Sequence, residues 1–148
     1  MLLSQIRDEL LAQHAELRTM IDTLTHMLGR WKAGEAVRDD VEGTLGLLAD
    51  AFRTHNAREE ELLGDVIRTI DAWGPARADI MTDEHAQEHA EMYDALVGAH
   101  RAPDAAAAEV VVRQVIERLL DHMVREEKTC LSEQVLHDDP FAADYFGG

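Results

Sequence analysis

The sequence predicts an all-α protein, an antiparallel up-down-up-down bundle of four helices. Three observations lead there. Gly and Pro gather at a few points and cut the chain into long segments. Within the segments apolar residues recur every three to four positions, and no stretch alternates as a half-buried strand would. Long helices with short connections pack antiparallel to their chain neighbours.

The first segment runs from about Leu3 to Lys32, with Gly29 and Gly34 loosening its end. Leu3, Leu10, Leu17 and Leu24 interleave with Ile6, Ile21 and Leu28 in a heptad-like stripe that also takes in His14. The second begins near Asp39 and Asp40, acids that suit a helix N-terminus. It carries Leu48, Phe52, His55, Glu59 and Leu62 or Leu63 on one face, and ends at Gly64 or near Ile70. The stretch DAWGP, residues 71–75, is a break from which Pro75 can open a third helix running to about His100. The inward face of that helix is Met81 or Thr82, His85, His89, Met92 and Leu96. After RAPD, Asp104 caps a fourth helix with Val112, Val115, Leu119, His122, Glu126 and Cys130 on one face and an end near Leu136. The chain is thus expected to be one domain, with a bundle core over about 3–136 and a short unassigned tail over 137–148.

Composition narrows the function. Hydrophobic residues are 46% and charged residues 30% of the 148, an ordinary globular balance. Fourteen basic residues against thirty acidic ones give a formal charge of -16, which repels phosphate backbones and anionic lipid, so neither nucleic acid nor a membrane is an expected partner. No apolar run reaches the roughly 20 residues of a membrane span. The start, MLLSQIRDEL, has Arg7, Asp8 and Glu9 where a signal peptide needs its apolar run. The lone Cys130 excludes an internal disulfide. A cytoplasmic protein is expected.

Polar residues in core positions carry the chemistry. The motif DEHAQEHAEMY, residues 83–93, puts His85 and His89 one turn apart on one helix face. Count in from the end where the first and third helices start. His14 lies about ten residues in, and His85 and His89 about ten to fourteen. His55 and Glu59 fall roughly five to ten residues before Gly64, and His122 and Glu126 about ten to fourteen before Leu136. At about 1.5 Å rise per residue all seven share a layer roughly 15 Å from one end.

Five imidazoles and two carboxylates then meet inside an aliphatic bundle. Unpartnered, each buried carboxylate costs several kcal/mol or is driven to protonate. A His–Glu network lowers that cost without needing polar groups from four helices at one height; a metal cluster needs them. One zinc takes about four ligands and leaves the rest idle. Two octahedral ions fit better, with Glu59 and Glu126 each bridging both and a solvent-derived oxo or hydroxo group as a third bridge. His85, His89 and His122 then complete six ligands on one ion. His14 and His55 bring the other to five, leaving one position for a small molecule.

The ordered set His14, His55-Asn-Ala-Arg-Glu59, His85-Ala-Gln-Glu-His89 and His122-Met-Val-Arg-Glu126 resembles the hemerythrin-like (HHE cation-binding) family over nearly the whole chain. The resemblance implies a hemerythrin-like bundle with two non-haem iron ions and a dioxygen-binding open iron, used for oxygen binding, storage or sensing. It leaves open an enzymatic use on hydrogen peroxide or nitric oxide, and a role in iron homeostasis; no protein partner is implied. None of the five histidines has Glu or Asp three residues before it, unlike the Glu-x-x-His pairs of ferritin-like bundles. Oxygen-carrying hemerythrins differ on the last helix, where an Asp follows His by five residues; here Glu126 follows by four and Glu127 by five.

Neighbouring residues have plainer expectations. Tyr93, one turn from His89, is read as a boundary packing residue rather than a partner for bound oxygen, and Cys130 as a small buried hydrophobe. Leu17, Phe52, Met92 and Leu119 should form a dry layer over the open position. His26, His100 and His137 are expected at the surface. The acids of Glu59–Glu61 and Glu126–Glu127 that are not ligands face solvent or bond to ligand imidazoles from outside.

Overall fold

The computed structural model describes residues 1–69 and 75–138, without the side chains of 65, 67–69, 75–82 and 84. Within those residues the protein is four helices, α1 (Leu3–Lys32), α2 (Arg38–Thr69), α3 (Pro75–Gly98) and α4 (Ala105–Lys128), with a short 3-10 turn at Ala99–Arg101. Each helix packs on its chain neighbour and α4 returns to α1, closing an all-α bundle. None of the helices is long and apolar enough to cross a membrane. The DAWGP break, the inward positions at Met81 and Thr82, and the tail from 139 lie outside the described residues or side chains.

Local chemistry explains the helix ends. Past Lys32, Gly34 takes φ 78, the left-handed region where a side chain is strained. Its N–H donates to Trp31 C=O at 3.0 Å and the Glu35 N–H donates to Arg30 C=O at 2.8 Å, the paired bonds that cap orphan carbonyls. Arg38 opens α2, donating to the carbonyls of Ala102 and Pro103 at 2.7 and 2.6 Å, so this helix start is tied to the α3–α4 connection. The Asp104 carboxylate accepts from Ala107 N–H at 2.8 Å, the expected cap of α4.

Of two ends to be decided, that of α2 falls on the later of the two expected positions and that of α4 differs from the sequence reading. Gly64 does not terminate α2, which continues through it to Thr69. The fourth helix stops at Lys128 rather than near Leu136, and Cys130 is beyond it. Thr129 leaves helical space (φ -117, ψ -98). The Glu126 carbonyl then accepts from Thr129 N–H at 3.1 Å and Leu131 N–H at 2.9 Å. Successive turns carry Leu131 and Leu136 into a small apolar cluster with Ile6, Leu10 and Leu63. Burying each leucine is worth of order 2 kcal/mol, more than the few helical hydrogen bonds forgone. The Arg7 Nε–H donates to Leu131 C=O at 3.0 Å, and Asp138 accepts from the Ser4 backbone N–H and hydroxyl, so these turns clasp the start of α1.

The larger apolar cluster fills the rest of the bundle, from Leu17 to Leu28 on α1 and from Val41 to Phe52 on α2, with Met92, Leu96 and the Val112–Met123 stripe. A slab of polar side chains separates the two clusters: His14, His55, Glu59, His89, His122 and Glu126 are all buried.

Candidate metal centre

Three helices each offer two donors one turn apart, His55 with Glu59, His85 with His89, and His122 with Glu126; α1 offers His14 alone. The structure brings all seven into one layer. Their donor atoms fall into two overlapping groups, each within 4.8 Å: Glu59, His85, His89, His122 and Glu126, and His14, His55, Glu59 and Glu126. The two carboxylates belong to both. His85 is the least enclosed of the seven, its side chain 25% exposed.

Every imidazole turns Nε2 inward. His85 Nε2 is 3.2 Å from Glu59 and 3.3 Å from Glu126. His55 Nε2 is 3.0 Å from Glu59, and His122 Nε2 is 2.7 Å from Glu126. His14 Nε2 lies 3.8 Å from Glu126 and His89 Nε2 3.9 Å from Glu59. His122 Nε2 also meets the Nε2 atoms of both His85 and His89, at 3.1 and 3.0 Å.

The outer nitrogens decide what those inner ones carry. His14 Nδ1 is 3.0 Å from Glu127, and His55 Nδ1 is 2.7 Å from Gln13 Oε1. His122 Nδ1 is 3.3 Å from Glu88. These oxygens only accept, so the three Nδ1 atoms hold the protons and the three Nε2 atoms present bare lone pairs to the centre. The lone pair of His122 therefore faces two further imidazole nitrogens. All four carboxylate oxygens of Glu59 and Glu126, with Nε2 of His14 and His55, are buried without a hydrogen bond. That many inward lone pairs in one dry layer fit a bound cation, which would accept all of them.

Charge coupling agrees. Burial, and then the neighbouring Glu126 carboxyl, pushes Glu59 well above the usual carboxylate range. Burial also acts to raise Glu126, but the Glu59 carboxyl beside it holds it low. Two adjacent buried carboxylates cannot both ionise without positive charge between them. Outside the layer, Glu127 and Glu88 are held below the usual range despite partial burial, by Arg18 with His14 and by Arg125 with His122.

Sequence reasoning singled out the seven inner residues and anticipated outer bonds from the acids beside Glu59 and Glu126. It passed over Gln13 and Glu88. Their signal was position: each stands immediately before a histidine of the set, on the helix flank that faces a neighbour. Glu126, not Glu127, points into the layer; Glu127 reaches His14 from outside. Leu17, Phe52, Met92 and Leu119 are all buried beside the layer. Tyr93 is partly buried against the larger cluster. The Cys130 thiol, pushed up to about 12 mainly by burial, stays neutral and unreactive. His26 and His137 are exposed, whereas His100 is half-buried in the 3-10 turn.

The metal-free protein should show a bent stability profile. Burial, with His14 nearby, pushes His55 from 6.5 down to about 4. Burial, with His85 and His122 nearby, pushes His89 down to about 3. As pH falls below 6.5 the unfolded chain binds these protons first, so both contributions decline until about 4 and about 3. Glu59 opposes them, because its raised carboxyl protonates earlier in the folded state and adds stability as pH falls toward 4.5. Below 4.5 that gain is complete and Glu126, held low, also loses stability. Urea midpoints measured with chelator should fall gently from pH 6.5 to 4.5 and steeply beyond it, and Glu59→Gln should steepen the decline between 6.5 and 4.5. Midpoints unchanged down to pH about 4 would contradict neutral buried histidines.

The sequence model of the family described as the Hemerythrin HHE cation binding domain matches residues 5–132. No curated protein and no solved structure matched the chain.

Proposed function

This chain belongs to the hemerythrin HHE cation-binding domain family, and from that premise we propose that its His/Glu cluster holds two iron ions and binds dioxygen at one of them. The observation that carries the reading is the pair of overlapping donor groups, sharing Glu59 and Glu126 and completed by three imidazoles on one side and two on the other. Glu59 and Glu126 would serve both ions, His85, His89 and His122 would hold one, and His14 and His55 would hold the other, which would keep room for a small molecule. A mixed set of imidazole nitrogen and carboxylate oxygen suits iron, and a single zinc would leave donors idle.

Two ferrous ions would supply the electrons that dioxygen draws on when it binds. The chain's own part is positional. The imidazoles are held with Nε2 inward, and Glu59 and Glu126 balance the ions' charge. Leu17, Phe52, Met92 and Leu119 keep the next layer dry. None of these four side chains can donate a proton, which would favour release of a ligand unchanged. This favours oxygen binding, storage or sensing over consumption of hydrogen peroxide or handling of nitric oxide. The working unit is a single domain with its core over 3–136, and the lone, half-buried Cys130 suits a cytoplasmic location.

The test is anaerobic loading with ferrous iron, then separate additions of O2, H2O2 and NO. The reading expects two irons per chain and an O2-dependent absorption band that reverses when oxygen is removed. Binding of at most one metal would reject the dinuclear centre. Steady turnover of peroxide or nitric oxide would make the protein an enzyme instead.

A further inference from the structure

The outer contacts to the imidazoles close into a belt around the bundle. Gln13 on α1 reaches His55 on α2, and Glu60 on α2 faces His89 on α3 at 3.8 Å. Glu88 on α3 reaches His122 on α4, and Glu127 on α4 reaches His14 on α1. Each helix places one polar side chain against the next, three within hydrogen-bond distance and Glu60 beyond it, so that His89 Nδ1 has no hydrogen-bond partner; each adjoins an inner-layer residue in sequence: before His14, after Glu59, before His89, after Glu126. The alternation follows from helix direction. One residue is a rotation of about 100°. A step backward on a helix running one way and a step forward on a helix running the other turn to the same side of the bundle.

Three members of this belt are carboxylates and one is an amide. A carboxylate accepts the imidazole N–H more strongly than an amide, even when an arginine pairs with it, and strengthens the ring as a donor through its other nitrogen. Among the three imidazoles within hydrogen-bond distance of the belt, His55 alone leans on an amide, and it stands in the group with only two imidazoles. Gln13 and His55 also line a cleft of about 290 Å³ between α1 and α2, whose rim includes Glu16, Asp50 and Thr54. The amide therefore works at an edge of the centre that solvent approaches.

We propose that Gln13 is a positioning residue that holds His55 with Nε2 inward as a deliberately weak donor, leaving the His14/His55 ion the more loosely held and electron-poor of the two. An ion held by fewer and weaker donors would be the one that keeps a position for an added ligand. The inference rests on the dinuclear reading above.

Cobalt(II) titration of chelator-stripped protein separates the two claims. Wild type should bind two ions with distinct affinities. Gln13→Ala should weaken only the looser ion, by about 10- to 100-fold, and Gln13→Glu should tighten that ion. Glu88→Gln should weaken only the tighter one. After iron loading, Gln13→Glu should lower the midpoint potential of one ion, since a stronger donor favours the ferric state. Opposite shifts from Ala and Glu at one position are not what a merely structural role gives. Two cobalt ions in wild type, with Gln13 variants shifting both affinities alike or neither, would overturn the role of Gln13. At most one cobalt ion in wild type would overturn the dinuclear reading, and this inference with it.

Discussion

Glu126→Ala is expected to strip both metals from the protein, whereas His14→Ala removes one. Oε1 of Glu126 lies 2.7 Å from His122 Nε2 and 3.8 Å from His14 Nε2, while Oε2 lies 3.3 Å from His85 Nε2. The carboxylate thus stands between the two donor groups and belongs to both. Outer partners of metal ligands alone typically change affinity by about 10- to 100-fold, and a lost bridging ligand should cost at least about 100-fold at each ion. His14 belongs to the two-imidazole group alone, so its loss should leave a single ion held by His85, His89 and His122. His26→Ala, at an exposed site, should leave both. Metal analysis after dialysis against a fixed free-metal concentration reads these directly, and Glu126→Gln repeats the test at constant volume. Retention of two ions by both Glu126 variants would remove the carboxylate from the centre; loss of both from His14→Ala would break the proposed division of ligands.

The sequence was most legible where one physical rule governs many residues. The α1 stripe from Ile6 to Leu28 shows the three-to-four spacing of a helix buried along one side, and the structure buries it. Convergence of the seven polar residues was readable because opposite helix directions convert sequence positions into heights along one axis. That reading survived one misjudged helix end and one left open, since it depends on the rise per residue near the layer, not on where a helix stops. The stop of α4 was illegible for a definite reason: no Gly or Pro occurs between Lys128 and Leu136. The apolar residues at 131 and 136 suggested continuation, yet they serve the cluster around Leu10 and Leu63 through turns. Gly64 left the end of α2 open, because a glycine in a well-packed helix costs only about 1 kcal/mol and need not end it. Gln13 and Glu88 were hidden because a polar residue on a helix flank has the same appearance whether it meets water or an imidazole on the next helix.

Glu59→Met should raise the stability of the metal-free protein while abolishing its metal binding. Glu59 is 1% exposed, and neither of its oxygens has a hydrogen bond. Its burial and the Glu126 carboxyl beside it both oppose its charge. The nearest ring, His55, gives its proton to Gln13 and turns a lone pair toward Glu59, and His85, 3.2 Å from Glu59, keeps Glu126 at 3.3 Å as a second acceptor. Methionine is close in volume and flexible enough to fill the gap between the two apolar clusters. Relief of an unsatisfied buried polar group is worth roughly 1–3 kcal/mol, or about 2–4 °C in midpoint per kcal/mol for a chain of this size. Added metal should invert the order, because binding to the folded state alone stabilises wild type by RT ln(1 + [L]/Kd), about 4 kcal/mol at a thousand times Kd, and leaves the variant unmoved. Thermal unfolding of both proteins with chelator and with excess metal reads the crossing. A variant less stable than wild type under chelation would mean that Glu59 is already satisfied without a cation, and a variant that gains stability with metal would mean that the ions do not need it. The crossing itself separates the two accounts of the polar layer: a network retained for folding has no reason to resist folding, whereas a site organised for cations is strained until they arrive.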